Sequence, residues 1–186
     1  MGITNDLFPT ELAAGIDEAR MRLCDPIPDP EDVADPRTRR RGIDNFESFM
    51  RFLAPVSRGA VEAMAREGEA TFVAVGCGTC HVPALLTAAN RNPLLHRQTV
   101  PLYSDLLLHD VATGDGIAQG AAEPGEIRTP ALWGLRLRRP LLHDGSAATV
   151  DDAITRHGGE AAAARAAYDR LAPAQRLALR HFLMSL

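Results

Sequence analysis

RGAVEAMAREGEATFVAVGCGTCH, residues 58 to 81, is the stretch whose reading decides the fold of this chain. Val61, Met64, Ala65, Gly68, Phe72 and Val75 recur at steps of three and four, the spacing of one helical face. Such a helix runs directly into Cys77, Cys80 and His81. Three chemistries use two cysteines separated by two residues, and the neighbours decide among them. A thioredoxin-like dithiol follows a strand in a βαβ pattern, whereas a helix precedes this pair. A tetrahedral structural zinc site needs four ligands, and Cys24 alone does not complete a set. Attachment of a c-type haem uses both thiols as thioethers and the adjacent His as proximal iron ligand. Only that reading employs all three residues. Gly76 and Gly78 would let the backbone run close to a porphyrin ring.

Composition fits this reading. A chain of 186 residues is enough for one domain of ordinary size, with or without an arm. All 20 basic residues are Arg, and against 24 acidic ones they leave a net charge of -4, which excludes a general nucleic-acid binder. Only nine residues are aromatic (6 Phe, 2 Tyr and 1 Trp), so a haem would supply the large planar apolar body that the core lacks. Three cysteines are too few for a disulfide scaffold; with Cys77 and Cys80 spent on thioethers, Cys24 is a single thiol. No run approaches the roughly 20 apolar residues of a membrane span. The first residues, MGITNDLFPTELAAGIDEAR, lack a basic stretch followed by an apolar one, so no export signal is read there.

Residues 1–57 read as an irregular N-terminal arm. It holds one helical stretch from about Thr10 to Arg22, then DPIPDPEDVADPRTRRR, whose four prolines and dense charges resist a regular element. The RTRRR run at 37–41 reads as a solvated face, with docking of an acidic partner as its other use. Residues 90–130 read as a long loop, with at most a turn or two of helix between Tyr103 and His109. Thr149 before VDDAITRH has the pattern of an N-cap, with acidic residues in the first turn and Gly158 as C-cap. GEAAAARAAYDRL is helical by propensity. Pro173 opens a last helix whose Leu179, Phe182, Leu183 and Leu186 form an i, i+3, i+4, i+7 stripe. Nothing alternates at period two and no repeat is present. The expected class is all-α with long loops, the arm at 1–57 and a c-type cytochrome domain at 58–186.

Gly68 and Phe72, GCGTCH, Pro83 and the terminal helix ending FLMSL together resemble the class I cytochrome c fold over residues 58–89 and 173–186. The resemblance implies that the helix before the motif crosses the C-terminal helix. A tighter likeness lies in RTPALWGLRLRRPLLHDGSAATVDDAITRHGGEA, residues 128–161. It is similar to the C-terminal haem domain of the bacterial di-haem cytochrome c peroxidase and MauG-type superfamily, nearest to its di-haem oxidoreductase (thiol oxidoreductase-like) family. ITNDLFPTE at 3–11, FMRFLAP at 49–55 and PLYSDLLLHD at 101–110 extend the likeness over nearly the whole chain. Full members carry a further haem domain upstream.

This resemblance implies a distal iron ligand. In the peroxidase relatives it stands fourteen positions after the His of the HDG turn; here His143 begins HDG, and fourteen residues on stands His157. The implied coordination is bis-His, by His81 and His157. His109 and the methionines compete for the distal place, although Val111 stands where relatives commonly carry Met after LHD. Met64 and Met184 read as core, Met50 as packing, and His96 and His181 as residues without a ligand role. Around a haem, His143 would support the pocket through its own turn or a propionate, and Arg128 could pair with a propionate as readily as stand in solvent. Trp133 and Tyr103 would be haem surroundings or core.

The function expected is electron transfer by one covalent haem c, low-spin and of rather low potential because no Met ligand raises it. The partner is a redox protein or the upstream haem domain, the location is the periplasm, and Met1 is then an internal start that leaves the export signal upstream. Neither nucleic acid nor a membrane span is expected. The superfamily places its peroxide-reactive haem in another domain, so this chain alone is not expected to be a peroxidase. The alternatives are a haem-free CxxC thiol-redox protein of the cytoplasm and an inactive gene fragment.

Overall fold

A computed structural model describes residues 17–24, 32–118 and 121–186, without the side chains of Glu18 and Cys24. ITNDLFPTE, the beginning of the helix expected from Thr10, the DPIPDPE segment and the Cys24 thiol lie outside the described residues. The chain divides into two units after Ala54.

The described part of the first unit holds α1 (Glu18–Cys24) and α2 (Gly42–Phe52). The second helix corrects the reading of an irregular arm. Asp44 starts it by accepting the Arg41 N–H at 2.9 Å, the reciprocal half of a capping box. Hydrogen bonds from Arg41 hold the Asp44 carboxyl at about 2. The Arg40 guanidinium bonds to Asn45 and Ser48, so two residues of the RTRRR run serve the first turns of α2. Phe46, Phe49, Met50 and Leu53 form an apolar stripe, yet α2 has no buried residue. Met50, expected to pack, is exposed.

In the second unit α3 (Ala63–Ala74) and α6 (Pro173–Leu183) pack against each other. Gly68 makes this possible: a Cβ there would lie 1.9 Å from the Ala178 carbonyl oxygen and 2.7 Å from Phe182 Cβ. Ala65, Gly68 and Phe72 of α3, and Val75 after it, are buried as their spacing predicts. Val61 precedes the helix and Met64 faces solvent, so neither is core. Leu179, Phe182, Leu183 and Leu186 close the crossing from the other side, with Met184 packed at its margin. Burying four such side chains removes apolar surface worth ~1.5–3 kcal/mol each from water. Phe72, Tyr103 and Phe182 meet at 5.2 to 6.1 Å between ring centroids in tilted and edge-on contacts, the favoured aromatic geometry.

Between these helices come α4 (Val150–Thr155) and α5 (Ala162–Asp169). Thr149 caps α4 as expected: its hydroxyl accepts the Asp152 N–H, and Asp152 Oδ2 accepts the Thr149 N–H, each at 3.1 Å. The C-terminal turn differs from the expectation, since the left-handed residue is Gly159, at φ 47°, rather than Gly158.

The class is mixed rather than wholly helical. Two antiparallel ladders, β1 (Leu85–Leu86) with β2 (Thr99–Val100) and β3 (Leu108–Asp110) with β4 (Glu126–Arg128), lie in or beside the expected long loop. At two or three residues per strand they are too short to show a period-two pattern. No helical turn forms at 103–109, because Tyr103 (φ 53°) and Leu106 (φ 62°) adopt left-handed conformations that interrupt a right-handed helix. No helix among the described residues is long and apolar enough to cross a membrane.

Candidate functional site

Gly76 ends the approach from α3 at φ 90°, a conformation that costs a non-glycine residue energy, and turns the chain into a 3-10 turn over Cys77–Thr79. The turn is closed by the His81 N–H donating to the Cys77 carbonyl at 3.0 Å. Cys77, Cys80 and His81 are thereby brought together on one tight loop. A Cβ at Gly78 would meet only the edge of Phe72, at 4.0 Å, so space around the backbone, more than conformation, distinguishes that glycine.

Both cysteines are free thiols. Burial pushes the Cys77 thiol up to about 11, and burial followed by the charges of Asp105 and Glu160 also raises Cys80. Thiols held in this way are poor thiolate nucleophiles at neutral pH.

His81 is oriented by backbone. Its Nδ1–H donates to the Tyr103 carbonyl at 3.0 Å, which leaves the Nε2 lone pair as the available ligand atom. Burial lowers its pKa to about 4, against the opposing effect of that hydrogen bond, and the nearby His157 lowers it further. The imidazole is therefore neutral at pH 7. Tyr103 is buried in the aromatic cluster, and its hydroxyl donates to Glu69 Oε1 at 2.7 Å. One residue thus packs the core and holds the imidazole of the motif. Its segment is laced to the motif by Tyr103 N–H to Pro83 O at 3.3 Å, Ser104 N–H to Val82 O at 2.9 Å and Asp105 N–H to Cys80 O at 2.8 Å.

His157 stands two residues beyond the end of α4 and is half-buried. Its Nδ1–H donates to the Ala153 carbonyl at 2.8 Å, an acceptor it shares with the Arg156 N–H at the helix end. As in His81, Nε2 remains available. His157 lies near enough to His81 for its charge to disfavour a charge on that imidazole.

His109, the competing histidine, is engaged at both ring nitrogens. Nε2 lies 2.8 Å from Asp105 Oδ2 and Nδ1 lies 2.8 Å from Glu160 Oε2. Carboxylates only accept here, so both nitrogens carry protons and neither is free to bind iron. The Glu160 hydrogen bond, followed by that to Asp105, raises the His109 pKa. At Asp105 burial pushes the carboxyl up, but hydrogen bonds from Leu107, His109 and Thr129 outweigh it and the net shift is downward. Cys80, Asp105 and His109 also place possible ligand atoms within 4.8 Å of one another.

The remaining sequence candidates are more dispersed. Arg128 ends β4, exposed and without a hydrogen-bond or ion-pair partner among the described residues. Trp133 is half-buried, in a segment tied to the Tyr103 segment by Leu132 N–H to Leu102 O at 2.8 Å. His143 lies on an exposed turn closed by the Leu141 and Ala147 backbones; its Nε2 faces Asp115 Oδ2 at 4.0 Å, not its own turn. His96 sits in an exposed loop against the Asn90 carbonyl, and His181 is exposed on the last turn of α6. Sequence reasoning missed the Tyr103 carbonyl and the pairing of His109 with Asp105 and Glu160. The four-residue spacing of Asp105 and His109 was visible, but Glu160 lies 51 residues from His109 and no local pattern points to it.

The donor set fits a c-type haem. Two reduced thiols flank a turn, and the adjacent neutral imidazole has one nitrogen fixed by a carbonyl and the other open. A family model described as "Di-haem oxidoreductase, putative peroxidase" matches residues 1–186. No curated protein matches the chain significantly. Among solved structures, one titled "Kuenenia stuttgartiensis Hydrazine Synthase Pressurized with 20 bar Xenon" is similar at 20% identity and a TM-score of 0.49, over 74% of this chain. The chain spans about half of that protein, 52% of its length.

Proposed function

The chain belongs to the di-haem oxidoreductase family, which makes its role a haem-related oxidoreductase one, and from that premise we propose that residues 58–186 form a c-type cytochrome domain that transfers electrons. Cys77 and Cys80 would hold one haem through thioethers, and the Nε2 atoms of His81 and His157 would ligate its iron. Such a group supplies one-electron oxidation and reduction, at a potential set by its axial ligands and surroundings.

The single observation that carries this reading is the hydrogen bond from His81 Nδ1–H to the Tyr103 carbonyl at 3.0 Å. It fixes tautomer and ring direction in the manner of a metal-ligating histidine whose outer nitrogen is anchored. The matching bond from His157 to Ala153 supports the bis-His pairing. With His81 and His157 both holding the iron, the domain would exchange electrons without admitting peroxide. Arg128, exposed and unpartnered among the described residues, suits a propionate by its fork of donors, and Trp133 suits the apolar surroundings. His143 keeps only the propionate role, since its ring does not bond within its own turn.

The partner is a second redox centre, in another protein or in an upstream haem domain of the longer family members, and the location is the periplasm, where covalent haem attachment takes place. A thiol-redox function is disfavoured by the raised thiols, which would be protonated at neutral pH.

Absorption spectroscopy of the haem-loaded ferric protein tests this function. A low-spin spectrum unchanged by cyanide under mild conditions is expected; a high-spin spectrum, or a prompt cyanide shift, contradicts two filled axial places.

A further inference from the structure

His109 joins the two chain segments that carry the histidines of the site. On one side it reaches Asp105, whose N–H donates to the Cys80 carbonyl at 2.8 Å. On the other it reaches Glu160, whose second oxygen accepts the Asp110 N–H at 3.0 Å. The turn between His157 and Glu160 lies directly on the end of β3. Gly158 N–H donates to the Val111 carbonyl at 2.8 Å, and a Cβ at Gly159 would come within 2.2 Å of the Asp110 carbonyl oxygen. Two adjacent glycines therefore let the turn press against β3, and the His109 ring ties it there.

His157 needs such a tie. It stands past the last residue of α4, and the bond of its ring to Ala153 sets the direction of the imidazole, not the position of the turn that follows. An ordinary exposed ion pair would contribute little. Here the His109 and Asp105 side chains are only 18% and 12% exposed, and although Glu160 is 55% exposed, the imidazole bonds to two carboxylates at once and Glu160 is also held by the Asp110 N–H.

We propose that His109 is a positioning residue: clamped as an imidazolium between Asp105 and Glu160, it holds the 157–160 turn against β3 and so keeps the His157 imidazole at the site formed by Cys77, Cys80 and His81. This rests on the bis-His reading above, and it gives His109 a part in coordination without its ever touching iron.

Two variants of the full chain, His109→Leu and His157→Ala, separate the two claims. In the haem-free protein, amide exchange of Asp110 and Gly158, whose N–H groups bond across the clamp, should quicken about tenfold in His109→Leu. The amides of α6 should be unchanged, which shows that the core remains folded. In the haem-loaded ferric protein, His157→Ala should become high-spin, and His109→Leu should stay mainly low-spin but bind cyanide about tenfold faster than the parent. His109→Gln, which retains one donor, should fall between the two and serves should the Leu variant not fold. If His157→Ala remains low-spin, the ligand reading fails and the clamp's purpose with it. If His157→Ala is high-spin while His109→Leu matches the parent in exchange and cyanide binding, the clamp alone is overturned.

Discussion

The stripes of α6 and α2 have the same spacing, Leu179, Phe182, Leu183 and Leu186 on one and Phe46, Phe49, Met50 and Leu53 on the other, yet the first four are at most 4% exposed and the second at least 52%. Periodicity dictates which side of a helix is apolar; it does not supply what covers that side. For α6 the cover is α3, and the enabling residue is on the partner helix, where Gly68 has no Cβ to hold the backbones apart. The described part of the first unit offers α2 no equivalent.

The most severe way to break this contrast is Gly68→Val. Its Cβ would collide with the Ala178 backbone, where no rotamer change gives relief, so the crossing should be lost at a cost above ~4 kcal/mol. Circular dichroism with urea unfolding should then find no cooperative transition for the second unit; a transition of near-parental stability would mean that the helices do not meet there.

Truncating one aromatic from each stripe sharpens the comparison. Phe182→Ala should cost about 3–5 kcal/mol, whereas Phe49→Ala should stay within about 0.5 kcal/mol, as an exposed position does. Equal losses in urea midpoints would show that the α2 stripe is covered in solution.

Tyr103→Phe acts at the edge of the buried cluster. It removes only the hydrogen bond to Glu69 and should cost about 1 kcal/mol in thermal unfolding. The carbonyl that receives His81 is retained, so the haem spectrum should not move; a changed spectrum would mean that the hydroxyl, as well as the backbone, sets the imidazole.

The smallest effect concerns pH. The folded pKa of His109 is raised by its two carboxylates, so its contribution to stability is complete below the ordinary histidine value near 6.5 and is lost as pH rises through the raised one. Asp105 and Glu160 are shifted downward, so their contribution is present above ordinary carboxylate values and is lost as pH falls through the lowered ones. Thermal melts of the parent and His109→Gln should differ most near pH 5 to 6, by a small amount because solvent screens the clamp, and converge in alkali. A difference that grew with pH would contradict an imidazolium.

Much of this was legible in the sequence because it is local. The Thr149 cap, the start of α6 at Pro173 and the CGTCH turn each depend on neighbours a few residues away. The α2 stripe is equally local, but the proline-rich charged segment before it masks the return of periodicity at Gly42. The ladders and the Tyr103 conformation were not legible, because they depend on pairing partners 13 to 22 residues away. At the site, sequence named the thiols and His81 from one motif and His157 only through a family resemblance. That His109 is held at both nitrogens, and so excluded as a ligand, required the fold.

The central claim is that Cys77 and Cys80 carry a haem by covalent bonds, and a pyridine haemochrome assay on acid-acetone-extracted protein tests it most directly. The full chain should be exported to the periplasm and expressed with and without a cytochrome c maturation system. One haem per chain that resists extraction, formed only with maturation and lost in a Cys77→Ala, Cys80→Ala double variant, is the predicted result. No covalent haem under either condition would contradict the account.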